Sequence, residues 1–223
     1  MTRPEDIIQG SPEWFTARLG RATASRIADV VAKTKSGWGA SRANYAAQIV
    51  AERLTGIAGE TYSNAAMQWG TETEPEARAA YSFRNSVDVA QVGFVPHPTI
   101  AMSGASPDGL VGADGLVEIK CPNTATHIET LIDGKCPGKY ETQFQWQMAC
   151  TGRAWCDFVS YDPRLPEAMR FFQKRIDRDP ARIEYLEGVV RIFLAEIDET
   201  IGKLTALYGD RPEKPPVNYL LAG

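Results

Sequence analysis

The sequence predicts an α/β domain with a mixed central sheet flanked by helices. Three observations lead there. Helical periodicity dominates residues 23 to 84, a cluster of short strand-like segments follows between Val87 and Cys121, and helix then alternates with strand up to one long closing helix. At 223 residues the chain has the length of one large domain, taken as residues 1–223, with room for a substantial core.

Thr23 to Lys33 reads as a short helix because Ile27, Val30 and Val31 recur at helical spacing. Lys35-Ser36-Gly37-Trp38-Gly39 reads as a loop. Ser41 suits the cap of a second helix, which runs to about Leu54 and stops at Gly56. A third helical stretch covers Asn64 to Arg84, where Pro75 predicts a kink or two abutting helices. Val87 to Val95, Ile100 to Ala105, Leu110-Val111 and Leu116 to Cys121 read as strands, with Ala113-Asp114-Gly115 as a hairpin turn. Thr126 to Ile132 reads as a helix and Tyr140 to Cys150 as an amphipathic one. Two further strands follow, Trp155 to Tyr161 and Met169 to Ile176. A long helix from Ala181 to Leu207 and an extended tail from Arg211 to Pro216 close the chain.

Composition narrows the chemistry. No apolar run approaches the ~20 residues needed to cross a bilayer. The opening MTRPEDIIQG places acids where a signal peptide has its apolar core, so the chain is expected in the cytoplasm with no membrane partner. Two histidines, His97 and His127, exclude chemistry built on several histidine ligands. His97 lies between two prolines and reads as a loop residue, His127 as a surface one. The four cysteines form no C-x-x-C pair and no zinc spacing, so free thiols are expected. The net charge of −4 is uneven: +3 over residues 1–55, −7 over 56–134 and zero beyond. Either these are solvated faces, or a basic N-terminal part meets a polyanion and an acidic middle holds cations.

The most informative stretch is Ser106-Pro107-Asp108-Gly109 followed by Gly115-Leu116-Val117-Glu118-Ile119-Lys120-Cys121-Pro122. Strand alternation puts Glu118 and Lys120 on one face, with Val117 and Ile119 on the other. A hairpin turn brings Asp108 beside Glu118. Two carboxylates that close repel, and a divalent cation resolves the conflict. Mg²⁺ binds through one or two carboxylates with several waters, and the Ile119 carbonyl offers a further oxygen. A lysine beside such a site helps position water. These parts suit phosphodiester hydrolysis. Taken alone, the pattern also fits a solvated strand with alternating charge.

Asp108…Glu118-x-Lys120 resembles the PD-(D/E)xK nuclease motif, and the match extends to the lambda-exonuclease-like (YqaJ-type) phage recombination nucleases. Trp14-x-x-x-Arg18-Leu19-Gly20 with Thr23-Ala24-Ser25 looks like that family's opening motif, and Trp69-Gly70-x-x-x-Glu74 like its second. Ser106 to Leu110 and Glu118 to Pro122 are the third and fourth. Gln143-x-Gln145 and Tyr161-Asp162-Pro163-Arg164 complete the set in family order, from Trp14 to Arg164.

The resemblance implies a restriction-endonuclease-like core and a Mg²⁺-dependent exonuclease, with two ions and Mn²⁺ as a possible substitute. It implies degradation of one strand of linear duplex DNA from its 5′ end, leaving 3′ tails for recombination. A homotrimeric ring threaded by DNA and a single-strand annealing protein are its implied partners, in a bacterial or prophage setting. Carried over by motif, Asp108, Glu118 and the Ile119 carbonyl hold metal, and Lys120 is the catalytic lysine. Glu74 sits near the metals, and Gln143 helps order the water and the lysine. Arg18, Ser25, Lys35 and Ser106 would handle the 5′-phosphate or nearby DNA, and Met67 would part the strands. Lys35 stands where the family has arginine, keeping the charge but losing bidentate geometry. Without the family, Arg18 would simply pair with Glu13 or another surface acid. Another nuclease of the superfamily, an endonuclease or RecB-like module, a catalytically silent DNA-binding protein and a non-nuclease metal-binding protein are the rival readings.

Overall fold

A computed structural model describes residues 6–35, 37–59 and 65–209, with the backbone alone at Met67. Helix α1 (Pro12–Arg18) starts on a Ser11 cap, whose hydroxyl accepts from the Trp14 N–H, and has proline in its first turn. Strand β1 (Ala22–Thr23) follows, then a 3₁₀ turn (Ala24–Arg26) and the single turn α2 (Ile27–Val30). The helix expected over residues 23–33 is therefore broken. Ala22 and Thr23 pair in parallel with Ser103 and Gly104, some 80 positions away in the chain, a contact local periodicity does not register.

The expected loop at Lys35 is the turn of a small hairpin, β2 (Lys33–Thr34) with β3 (Gly37–Trp38). Helix α3 (Ala40–Thr55) begins two residues earlier than expected, with Gly39 rather than Ser41 at the cap position and no side-chain cap. It stops at Gly56, whose φ of 68° is the left-handed conformation glycine adopts freely. Helix α4 (Ala65–Asn85) runs through Pro75 as one helix rather than two. A proline costs a helix interior about 3 kcal/mol. Burial of Ala77 and Tyr81 against the sheet offsets it.

Strands β4 (Val89–Ala90), β5 (Val95–Pro96), β6 (Ser103–Ala105), β7 (Gly109–Val111) and β8 (Gly115–Lys120) come next, several shorter than expected. After them come α5 (Thr124–Asp133), α6 (Glu141–Thr151), β9 (Trp155–Tyr161), β10 (Phe171–Asp177) and α7 (Pro180–Tyr208). The main sheet has the order β10-β9-β8-β7-β4. It is mixed, since β8 and β9 are parallel and the other neighbours antiparallel. A smaller sheet, β1-β6-β5, stands apart from it.

Helix α4 covers one face of the main sheet through Ala77 and Tyr81 against Val117, Ile119, Val159 and Tyr161. Helix α6 covers the other, with Phe144 and Met148 against Leu116, Cys156 and Phe158. Its far side carries Trp146 and Cys150 into a third cluster with α2, α3 and α7. So α6 is buried almost all round and is not amphipathic as expected. Each fully buried large apolar side chain contributes about 1.5–3 kcal/mol.

Both histidines are buried, which corrects the surface placement of His127. The His127 ring bonds to Ser160 Oγ at 2.7 Å and to the Met169 carbonyl at 2.9 Å. His97 sits in the connection after β5 and stacks on Trp146 with ring centres 4.9 Å apart. The cysteines carry free thiols. Among the described residues, no helix is long and apolar enough to cross a membrane. The tail from Arg211 to Pro216 lies outside the described residues.

Candidate active site

The β7–β8 hairpin builds the site. Gly109 pairs with Val117, so Asp108, one residue before the strand, falls level with Glu118. The turn itself is Gly112 to Asp114 rather than the expected Ala113 to Gly115. Gly112 takes the positive φ, and Gly115 already pairs with Val111. The glycine of Ser-Pro-Asp-Gly is demanded by packing, because a Cβ at Gly109 would collide with Val89.

Asp108 Oδ2 accepts the Ile119 N–H at 2.7 Å, which ties it to the strand carrying Glu118 and Lys120. Glu118 is 1% exposed, so each of its bonds matters. Lys120 Nζ and Gln143 Nε2 both donate to its Oε1 at 2.5 Å. Gln147 Nε2 donates to its Oε2 at 2.6 Å. Glu74 reaches the same volume from α4 and is ion-paired with Arg78 one turn on.

Electrostatics follow from this crowding. Burial first, and then the Glu118 charge, push the Asp108 carboxyl well above the usual range. Burial likewise raises Glu74, against the pull of Arg78. Burial works against the Lys120 ammonium, but Glu118 and Asp108 outweigh it and hold its pKa above the ordinary value. The lysine therefore stays charged.

The donor set fits a hard divalent cation. It offers two carboxylates and the Ile119 carbonyl, all oxygen, and their mutual repulsion is what a cation relieves. Among the described residues, no three His, Cys, Asp or Glu side chains form a metal cage by themselves. Water and the backbone would complete the coordination, which is the habit of Mg²⁺.

Beside this centre stands a second constellation. Trp14 Nε1 and Arg18 Nη1 both donate to Ser106 Oγ, at 2.9 and 3.2 Å. The Arg18 guanidinium lies over the Trp14 ring, 4.2 Å from its centre. Burial lowers the pKa of Arg18. Arg18 thus turns to Ser106 rather than to Glu13. Ser25 is exposed on the 3₁₀ turn after β1. Because β1 runs parallel to β6, Ser25 and Ser106 leave that sheet at the same end. Lys35 is exposed at the tip of the β2–β3 hairpin. Met67 falls in the first turn of α4, with its side chain outside the described positions.

Two residues escaped the sequence reading. Gln147 and Arg78 lie four positions after Gln143 and Glu74, the helical spacing that shares a face and could have found them. Gln145, by contrast, points away. Its amide bonds the Asp177 carbonyl and the Asp179 N–H at the start of α7, 2.9 Å each.

The fold and the Asp108–Glu118–Lys120 centre define a nuclease of the PD-(D/E)xK type. Residues 13–154 match the YqaJ-like viral recombinase domain, and the chain belongs to that family. Its structure is similar to that of an alkaline exonuclease (LHK-Exo) from Laribacter hongkongensis, with 55% identity and a TM-score of 0.83 over 89% of this chain and 98% of the other. The complex of LHK-Exo with dAMP gives 56% identity, a TM-score of 0.84 and the same coverage. A phage-related exonuclease from Haemophilus somnus 129PT shares the fold, at 14% identity and a TM-score of 0.65 over 82% of this chain and 96% of that one. An uncharacterized protein of Acanthamoeba polyphaga mimivirus is 32% identical over 103 residues, covering 40% of this chain and 19% of that protein.

Proposed function

We propose that the protein is a divalent-metal-dependent exonuclease that shortens one strand of linear duplex DNA from its 5′-phosphorylated end and leaves a 3′ single-stranded tail for recombination. The adjacency of two groups on one segment carries this reading. Ser106, bonded by Trp14 and Arg18, stands two residues from Asp108 of the acidic centre. A phosphate reader therefore borders the hydrolytic site.

Mg²⁺, or Mn²⁺ in its place, bound by Asp108, Glu118 and the Ile119 carbonyl, would neutralise phosphate charge and activate water. Glu74 borders the same volume and suits a second ion. The charged Lys120 stabilises negative charge developing on the phosphate oxygens. Gln143 holds Glu118 in place and lies close enough to orient the attacking water. The water oxygen bonds to phosphorus and the P–O3′ bond breaks. The water gives up its proton, and the leaving O3′ takes one up. The products are a nucleoside 5′-monophosphate and a strand with a new 5′-phosphate, the group Arg18 and Ser106 read next. The dAMP complex of LHK-Exo supports a product of this class here.

Arg18, Ser25, Ser106 and Lys35 are assigned to the DNA end and Met67 to strand separation. Phosphate contacts carry no base information, so sequence preference is weak. Duplex affinity ordinarily comes from Lys and Arg contacts, and a net charge of −4 is unusual for a DNA binder. A homotrimeric ring enclosing the DNA removes the need for a strongly basic surface. A single-strand annealing protein would take up the 3′ tail in the cytoplasm of a bacterial host.

One digestion panel tests the reading. Linear duplex with a 5′-phosphate, the same duplex without it and a closed circle are each incubated with Mg²⁺, beside the Asp108→Ala protein. Loss of the phosphorylated strand alone, from its 5′ end, supports the proposal. Cutting of the circle would make the protein an endonuclease. No DNA consumed with Mg²⁺ or Mn²⁺ would leave a silent binding protein.

A further inference from the structure

Glu118 has a third donor that the motif set does not contain. Gln147 is fully buried on α6, one turn deeper than Gln143, and gives its Nε2 to Glu118 Oε2 at 2.6 Å. The orientation of the amide is set by the carboxylate, which in its charged form only accepts. The other end of that amide is orphaned. Gln147 Oε1 is buried and has no hydrogen-bond partner among the described residues. A buried acceptor without a donor costs stability. Its neighbours on α6, Phe144 and Met148, pack against the sheet as apolar residues, so packing alone does not call for an amide here.

An ionised carboxylate has about four lone-pair directions. Lys120 and Gln143 occupy two on Oε1, and Gln147 occupies one on Oε2. One direction on Oε2 remains, and Gln147 fixes where it points. We propose that Gln147 is a positioning residue that aims the free lone pair of Glu118 at the cation. This rests on the nuclease reading above. Gln147 touches neither metal nor DNA in this account and acts only through Glu118. Partners that orient metal ligands commonly change metal affinity by about 10–100-fold when removed.

The test is direct metal binding by the full chain, freed of metal and without DNA. Mg²⁺ is titrated calorimetrically and Mn²⁺ by electron paramagnetic resonance, for wild type and Gln147→Met. About tenfold weaker binding by the variant is expected. The KM for DNA should be unchanged, and kcat should recover as metal is raised, a split that general loosening of the core would not give. Binding within twofold of wild type, in a variant that melts cooperatively, overturns the proposal. Should Gln147→Met fail to fold, Gln147→Asn keeps an amide in the core but is one methylene too short to reach Glu118, and is judged by the same criterion. If wild type binds neither metal, the nuclease reading falls and takes this proposal with it.

Discussion

Trp14 and Ser106 are 92 positions apart, and the indole N–H of one donates to the hydroxyl of the other at 2.9 Å. That bond fastens the first helix to the loop that carries Asp108. Arg18, one turn further along α1, reaches the same hydroxyl at 3.2 Å. The chain's basic opening and its acidic middle meet at this point.

Replacing Arg18 by Ala should therefore blunt recognition of the DNA end without abolishing hydrolysis. Losing a charged hydrogen bond costs about 1.5–3 kcal/mol, or roughly 10–100-fold. The preference for phosphorylated over unphosphorylated ends, measured as a ratio of kcat/KM values, should shrink by that factor. An unchanged ratio would remove Arg18 from the phosphate site.

Lys120→Met should behave differently. The ammonium is held charged against burial by Glu118 and Asp108, and in the proposed mechanism its loss would remove charge stabilisation at the phosphate. A fall in kcat of about 10²–10³ is expected, with DNA binding retained. Gel-shift affinity beside single-turnover rates separates the two. A variant that cleaves at the wild-type rate would refute the role given to this lysine.

Gly109→Ala tests the packing beneath the site. The new methyl would collide with Val89, and overpacking of this kind costs about 1–3 kcal/mol. Chemical denaturation should show that loss, and Val89→Ala in the same chain should return part of it. Additive losses in the double variant would contradict the collision.

Stability should also depend on Asp162. Burial pushes its carboxyl up, but the Arg164 side chain, the Thr124 hydroxyl and the Arg164 N–H hold it down at about 2. The unfolded chain titrates near 3.9, roughly the model-peptide value. The contribution is thus fully present above about pH 4 and is lost as pH falls towards about 2. Asp162→Asn should be less stable than wild type at pH 7, and the gap should close on acidification. Denaturation at pH 7, 4 and 2.5 measures it, and a constant gap would show that the carboxylate charge is not involved.

Much of the candidate site's geometry was legible from residue order. Asp108, Glu118 and Lys120 were readable because a short hairpin brings nearby positions together, and strand alternation assigns their faces. Trp155–Tyr161 matched its expected strand end to end, since a β-rich run between a turn at Gly152 and one at Pro163 is a local signal. The second glutamine on Glu118 went unread although its four-residue spacing was present.

The sequence by itself determined the α/β class, the order of the elements and the acidic hairpin, because all depend on neighbours a few positions apart. Only the tertiary structure decided that Thr23 leaves helical periodicity to pair with Gly104, that α6 is buried almost all round, and that His127 lies inside against Ser160. Only it decided that Gln145 turns to α7 while Gln143 and Gln147 turn to Glu118. These outcomes depend on which surfaces meet across the sheet. Most of the stability of such elements comes from tertiary packing rather than local propensity, and contacts between distant segments leave no periodic trace in the chain.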